Sequence, residues 1–346
     1  MSANKPVGIP IQNLSDLLSD DAKSLLSAKG TDLVRQIGLE VIRGVVLDVL
    51  TGRNLRDSTE MLTRRRIASL NLATLVLFLK GATLSDDFIE NLPDMASEIL
   101  RRKRVSKNER WLAQWVLGLT DKAFQNVLRD SPGAVAEYRE RYVRACRDVI
   151  ANLQHEYGLL GGEVRLDSGV QAQINWVFVT YLLGTTGAQT LAIRGSEKSA
   201  YGKLFEKLVL GSLLHILGFK CVSPDNPETL TRVFWLSSRE AKRESDATVL
   251  YRAGKGVRFD IGFIGRGNPE ISLDKVSRFE REISMGRSKW YMATIILVDR
   301  IGANSRIERM AKAIDGTIVQ MSMGYWPQQV AQQLNAKLGF STTLSD

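Results

Sequence analysis

Phe259-Asp260-Ile261-Gly262-Phe263-Ile264-Gly265-Arg266-Gly267-Asn268-Pro269-Glu270-Ile271-Ser272-Leu273-Asp274-Lys275 sets one acid inside an apolar run and a second acid at the head of another. The residues between them are those of a tight turn. Side chains two apart on a strand share a face, so Asp260 goes with Gly262 and Ile264. On the next strand Glu270, Ser272 and Asp274 share a side. If the two strands pair, the Asp260 and Glu270 carboxylates come within reach of one cation. Magnesium takes hard oxygen ligands from one or two carboxylates, completed by water and phosphate.

The flanking residues give this stretch a sheet. Upstream, Ser196 is placed to cap a helix from Glu197 to about Leu217, and Gly218 to stop it. Candidate strands follow at Lys220 to Ser223, Arg232 to Leu236, Thr248 to Tyr251 and Val257 to Ile264. Ala253-Gly254-Lys255-Gly256 reads as the hairpin turn between the last two. Glu270 to Leu273 reads as a strand and Ser277 to Gly286 as a helix. Ala293 to Val298 is a continuous apolar strand. A helix over Ser305 to Ile314, a strand over Thr317 to Met321 and a helix from Pro327 complete the order. The expected class is α/β: a mixed sheet flanked by helices, behind an all-helical N-terminal region. Apolar residues recur at helical spacing through most of residues 13–160, as at Leu33, Ile37 and Val41. Gly161-Gly162 and the polar run to Gly169 mark a break, and a mixed helical stretch leads to Arg194-Gly195-Ser196. The expected division is residues 1–194, mainly helical, and residues 195–346, holding the sheet.

Composition narrows the chemistry. The 346 residues carry a net charge of +9, which favours a polyanionic partner. The two histidines, His155 and His215, are far apart, so zinc sites and Ser-His-Asp triads are poorly supported. His215 sits in a nearly all-apolar stretch and reads as a core histidine. Cys146 and Cys221 read as buried free thiols in a reducing cytoplasm. The longest apolar run, Leu70 to Leu79, is too short to cross a bilayer, and no signal peptide is visible near Met1. Catalysis then falls to carboxylates, lysine and a hard cation, a set suited to phosphodiester hydrolysis.

Further residues join this reading. Glu206 lies on the helix before the sheet, with Val209, Leu210 and Leu213 on its side. It is either a third acid turned toward the site or an exposed partner of Lys203 or Lys207. Arg64-Arg65-Arg66 and Arg101-Arg102-Lys103-Arg104, the latter leading to Trp111 and Trp115, read as solvated helix faces or as phosphate contacts. Arg278, Arg281, Arg287 and Lys289 follow the acids along the chain.

The arrangement resembles the PD-(D/E)xK nuclease superfamily, over roughly residues 196 to 325. Arg258 through Gly265 and on to Asp274-Lys275 is more narrowly similar to type II restriction endonucleases of the CfrBI-like group. The resemblance implies a restriction-endonuclease-like mixed sheet. It makes Asp260 and Glu270 the metal-holding acids, bound to Mg2+, with Glu206 in support. Two departures stand out: Phe259 replaces the proline, and Ser272 stands where a lysine is usual. The activating amine then comes from Lys275, or a Ser272-bound water positions the nucleophile. The resemblance further implies double-stranded DNA as substrate and a six-base palindrome of the CC(A/T)(A/T)GG type. It also implies a twofold homodimer and a cognate DNA methyltransferase in the same system. The N-terminal region would supply dimerisation or DNA contact. Two other readings stay open: a non-catalytic DNA-binding protein on a nuclease scaffold, and a repair or recombination nuclease of the superfamily.

Overall fold

The computed structural model describes residues 13–27, 37–127, 132–223, 231–237, 245–262, 291–301, 311, 316–342 and 344. Glu270, Ser272, Lys275 and the arginines after them lie outside the described residues. So do the expected strand over 270–273, the helix over 277–286 and, except Ala311, the helix over 305–314.

The chain forms two compact units. One contains residues up to Leu33 and Leu62–Lys198; the other contains Val34–Met61 and Ser199–Asp346. The sheet-bearing unit thus takes in a segment from the N-terminal third of the sequence.

In chain order the helices begin with α1 (Asp20–Ser27), α2 (Leu39–Leu50), α3 (Leu55–Leu84) and α4 (Phe88–Arg101). They continue with α5 (Lys107–Val116), α6 (Asp121–Val127) and α7 (Pro132–Tyr157). A small antiparallel hairpin, β1 (Gly162–Arg165) and β2 (Gln171–Ile174), follows where sequence suggested only a polar break. Among the described residues, the N-terminal region is therefore mainly helical, with this hairpin as its strands. Next comes α8 (Trp176–Ile216), a single helix of 41 residues. The expected interruption at Gly195-Ser196 does not occur. An interior glycine costs a helix only about 1 kcal/mol. Thr185, Gln189 and Ile193 before it, and Tyr201, Phe205, Val209 and Leu213 after it, are buried at four-residue spacing. The stop at Gly218 is as expected: its φ of 87° suits glycine, and the Phe219 amide donates to the Leu214 carbonyl.

The first unit is built around an apolar core that includes Leu70, Leu77, Phe78, Leu92, Ala113, Trp115 and Phe178. The Glu109 carboxylate is buried and accepts from the Leu14 and Ser15 amides at 2.6 and 2.9 Å, fixing the turn at Leu14–Leu17. α3 is long and apolar enough by composition to cross a membrane, which the sequence run alone did not suggest. Its Thr74 hydroxyl nevertheless bonds Gln189 at 3.2 Å, and Leu70, Leu77 and Phe78 are buried. Tyr142 lies between Tyr138 and Tyr181, with ring centroids 6.4 and 6.2 Å away.

The second unit carries a six-stranded mixed sheet in the order β3-β4-β5-β6-β7-β8. Its strands are β3 (Lys220–Cys221), β4 (Val233–Leu236), β5 (Ala247–Arg252), β6 (Lys255–Gly262), β7 (Tyr291–Val298) and β8 (Gly316–Gln320). β5 runs antiparallel to β4 and β6; β6, β7 and β8 run parallel to one another. One face is apolar and buried: Phe234; Ala247 and Val249; Val257, Phe259 and Ile261; Ala293, Ile295 and Leu297; Val319. Helices flank the sheet, ending with α9 (Pro327–Leu338), whose Val330 and Leu334 are fully buried.

Three interactions fasten residues 39–54 to the sheet. The indole N–H of Trp326 donates to the Val49 carbonyl at 2.7 Å. The Asn54 amide donates to the Asp299 carboxylate at 2.6 Å, just past the end of β7. A Cβ on Gly52, whose φ is 95°, would stand 2.5 Å from the Gly324 carbonyl oxygen, so only glycine fits there.

Two sequence expectations are corrected. His215 is exposed, because the last turn of α8 buries Leu213 and Leu214 on its other side. Cys221 is exposed on the short edge strand β3, while Cys146 is buried; both are free thiols.

Two outcomes are expected from this packing. Trp326→Ala should lower unfolding free energy by about 3–5 kcal/mol in urea denaturation, through the cavity and the missing anchor. Burial, and next Cys146, push the Tyr181 hydroxyl up to about 12, and the same causes push Tyr142 higher still. An unfolded tyrosine ionises near 10, so above that pH the unfolded chain loses protons that the folded chain keeps. Thermal stability should therefore fall as pH rises from about 10 to about 12, while Tyr142→Phe should flatten that fall in calorimetry.

Candidate active site

β6 covers the expected strand as far as Gly262, the last residue described there. It is an interior strand, with β5 on one side and β7 on the other. Along Lys255–Gly262 the β7 side is paired throughout, Asp260 lying beside Ile296. The β5 side is paired from Lys255 to Phe259, which faces Ala247.

The acid that does stand beside Asp260 is Asp246. The register ends at the Ala247–Phe259 pair; extended by one step it would set Asp246 opposite Asp260. The chain bends at Asp246, and its carboxylate accepts from the Ile261 amide at 2.9 Å. That amide points toward β5, so Asp246 and Asp260 occupy a non-hydrogen-bonded pair position. Cα atoms in such a pair lie about 4.5 Å apart and the side chains approach closely. The Asp246 carbonyl accepts from the Ser237 amide at 3.1 Å, continuing the β4–β5 ladder. Asp260 is buried and Asp246 half-buried.

Sequence reasoning missed Asp246. Its signal was an acid immediately before the apolar run Ala247-Thr248-Val249-Leu250, one short hairpin upstream of Asp260. The expected strand began at Thr248 and so left Asp246 outside it.

Alternation puts a polar row on the same face as the acids. Thr248 lies opposite Arg258, and Arg258 lies beside Thr294 of β7. Thr294 is buried, Arg258 is half-buried, and Ser245 and Thr248 hydroxyls are 3.0 Å apart. Gly262, two residues beyond Asp260, brings no side chain to this face.

Among the described residues no three His, Cys, Asp or Glu side chains form a metal-holding group. Glu206 is half-buried on α8 and does not join Asp246 and Asp260 in such a group. The two carboxylates still fit a hard divalent cation that keeps water and phosphate among its ligands.

The basic clusters belong to the first unit. Arg101, Arg102, Lys103 and Arg104 are all exposed at the end of α4. Beyond them Lys107 lies 4.5 Å over the Trp111 ring, which stacks on buried Trp115. Arg64 and Arg65 are exposed, while Arg66 donates to the Leu25 carbonyl at 3.1 Å.

A model of the CfrBI restriction endonuclease family matches residues 39–306, beginning at the first residue of α2. The type II restriction enzyme CfrBI of Citrobacter freundii is 39% identical over 300 residues, covering 86% of this chain and 81% of that enzyme. No solved structure matches the chain.

Proposed function

The chain belongs to the CfrBI restriction endonuclease family, and on that premise we propose that Asp246 and Asp260 form the metal-holding pair of a Mg2+-dependent site. The protein is a type II restriction endonuclease, a site-specific deoxyribonuclease. Enzymes of this kind generally need a divalent metal. The observation that carries the proposal is the cross-strand position of the two acids.

Bound Mg2+ would supply Lewis acidity at the phosphate and a more acidic attacking water. The chain's own part is placement. The Ile261 amide fixes the Asp246 carboxylate, and pairing on both sides of β6 fixes the backbone that carries Asp260. Such preorganised groups need little rearrangement as charge develops.

Glu270 is proposed as a further acid arriving from beyond the end of β6. Ser272 or Lys275 is proposed to orient the attacking water, and Glu206 to support from α8. The substrate is proposed to be a six-base palindrome of the CC(A/T)(A/T)GG type, cut by a cytoplasmic homodimer whose twofold axis matches that of the site. Residues 1–194 are proposed to contribute dimerisation or phosphate binding, and a cognate methyltransferase to protect host sites.

Asp246→Asn and Asp260→Asn should each lower single-turnover cleavage of plasmid DNA by roughly a hundredfold or more, the scale of losing one preorganised charge-stabilising group. Metal-free DNA binding and thermal unfolding should change little. Wild-type cleavage by Asp260→Asn would overturn the site. Wild-type cleavage by Asp246→Asn, with Glu270→Ala inactive, would return the second acid to Glu270. Lys275→Ala tests the amine separately, and sequencing fragment ends tests the palindrome.

Replacing Arg101, Arg102, Lys103 and Arg104 by alanine should weaken binding to every duplex alike. The slope of log affinity against log salt should become shallower by about 0.9 for each phosphate the cluster no longer neutralises. An unchanged slope would remove this cluster from the DNA surface.

A further inference from the structure

We propose that Arg258 is a catalytic residue that binds the scissile phosphate beside Asp246 and Asp260 and offsets the negative charge that builds there. The proposal rests on the acid pair being the site of cleavage.

Arg258 is two residues before Asp260 on the same face of an interior strand. A charged side chain at such a position is kept with polar or charged partners, and Asp260 shares the face of Arg258. Its neighbours across the sheet are both hydroxyl-bearing, Thr248 on β5 and Thr294 on β7. Also on this face, Ile296 beside Asp260, and Val233, Leu250 and Val298, are buried and apolar. Among the described residues, the polar side chains on this face include the two acids, one guanidinium and hydroxyls. On the other side of Asp260, Gly262 leaves that position of β6 without a cation.

Charge makes the guanidinium useful. Two carboxylates alone repel a phosphodiester, and one divalent cation only balances the carboxylates. Arginine adds a permanent charge and a planar fork that matches two phosphate oxygens. Hydrolysis forms a P–O bond to the water oxygen and breaks the P–O bond to the leaving sugar oxygen. One water proton passes through solvent to that oxygen, and the other stays with the new phosphate until it ionises. Arg258 transfers no proton; it holds the non-bridging oxygens while charge accumulates on them.

The test uses full-length Arg258→Ala and Arg258→Met with a duplex containing the mapped site. A second duplex carries a neutral methylphosphonate at the scissile position. Metal-free binding to both duplexes, single-turnover cleavage in Mg2+ and thermal unfolding are measured. Cleavage should fall by about a hundredfold. The affinity ratio of the two duplexes should shift about tenfold toward the neutral one, as expected for removal of a charge-assisted hydrogen bond. Added guanidinium ion should restore part of the cleavage by Arg258→Ala. Arg258→Met keeps the aliphatic stem and carries the test if the alanine variant unfolds. Cleavage within about threefold of wild type, or an unchanged affinity ratio in a folded variant, overturns the proposal. If Asp260→Asn is inactive while Arg258→Met cleaves normally, this inference alone falls. If Asp260→Asn cleaves normally, the acid-pair reading falls first.

Discussion

The bond from the Ile261 amide to the Asp246 carboxylate is the constraint on which the site depends. β5 bends at Asp246 while β6 continues to Gly262 beside β7. Continued regular pairing would have offered Ile261 a backbone carbonyl. The bend withdraws it, and a buried amide without an acceptor costs about 1–3 kcal/mol. The carboxylate fills the gap. The bond therefore also holds in place one acid of the proposed pair.

The two faces of the sheet divide the work. One face contributes an unbroken apolar layer from β4 to β8 and makes the strands' order and register costly to change. A one-residue slip of β5 against β6 would drive Asp260 or Asp246 into that layer. The other face can then carry acids, an arginine and hydroxyls without endangering the fold. A strand buried on both sides in this way needs paired or hydrogen-bonded polar groups, and Asp246, Thr248 and Ser245 meet that need through bonds within the patch or to the backbone.

The strands around Asp260 were legible because their signals are local. Val257 to Ile261 alternates apolar with charged residues, Ala253-Gly254 is a two-residue hairpin turn, and Ala293 to Val298 has the continuous apolarity of a buried parallel strand. The neighbour of Asp260 was less legible. Gly265 to Pro269 is a strong turn signal, and it drew attention to Glu270, which lies outside the described residues. Asp246 gives no comparable signal: a bend in a strand is not written in glycine or proline, and its partner is set by register. The unbroken α8 was missed for a related reason. Gly195 and Ser196 look like a stop and a cap, but side chains buried on both sides of them decide the outcome.

The discontinuity of the second unit has its own physical cause. A sheet can be covered by helices from anywhere in the chain, and local sequence does not reveal which ones. Here α2 supplies Val45, Val46, Val49 and Leu50 to the buried interior, although more than a hundred residues separate it from β3. Its end is held by a buried indole, an amide–carboxylate bond and a glycine–glycine approach that tolerates no side chain. Asn54 reaches Asp299 just past the end of β7, whose Val298 pairs with Gly262, two residues beyond Asp260. The segment around residue 54 thus braces the end of the sheet that carries the acid pair. A catalytic unit cut from residue 195 onward would lack that brace, so the sheet and the segment from Val34 to Met61 are best regarded as one folding unit interrupted in sequence.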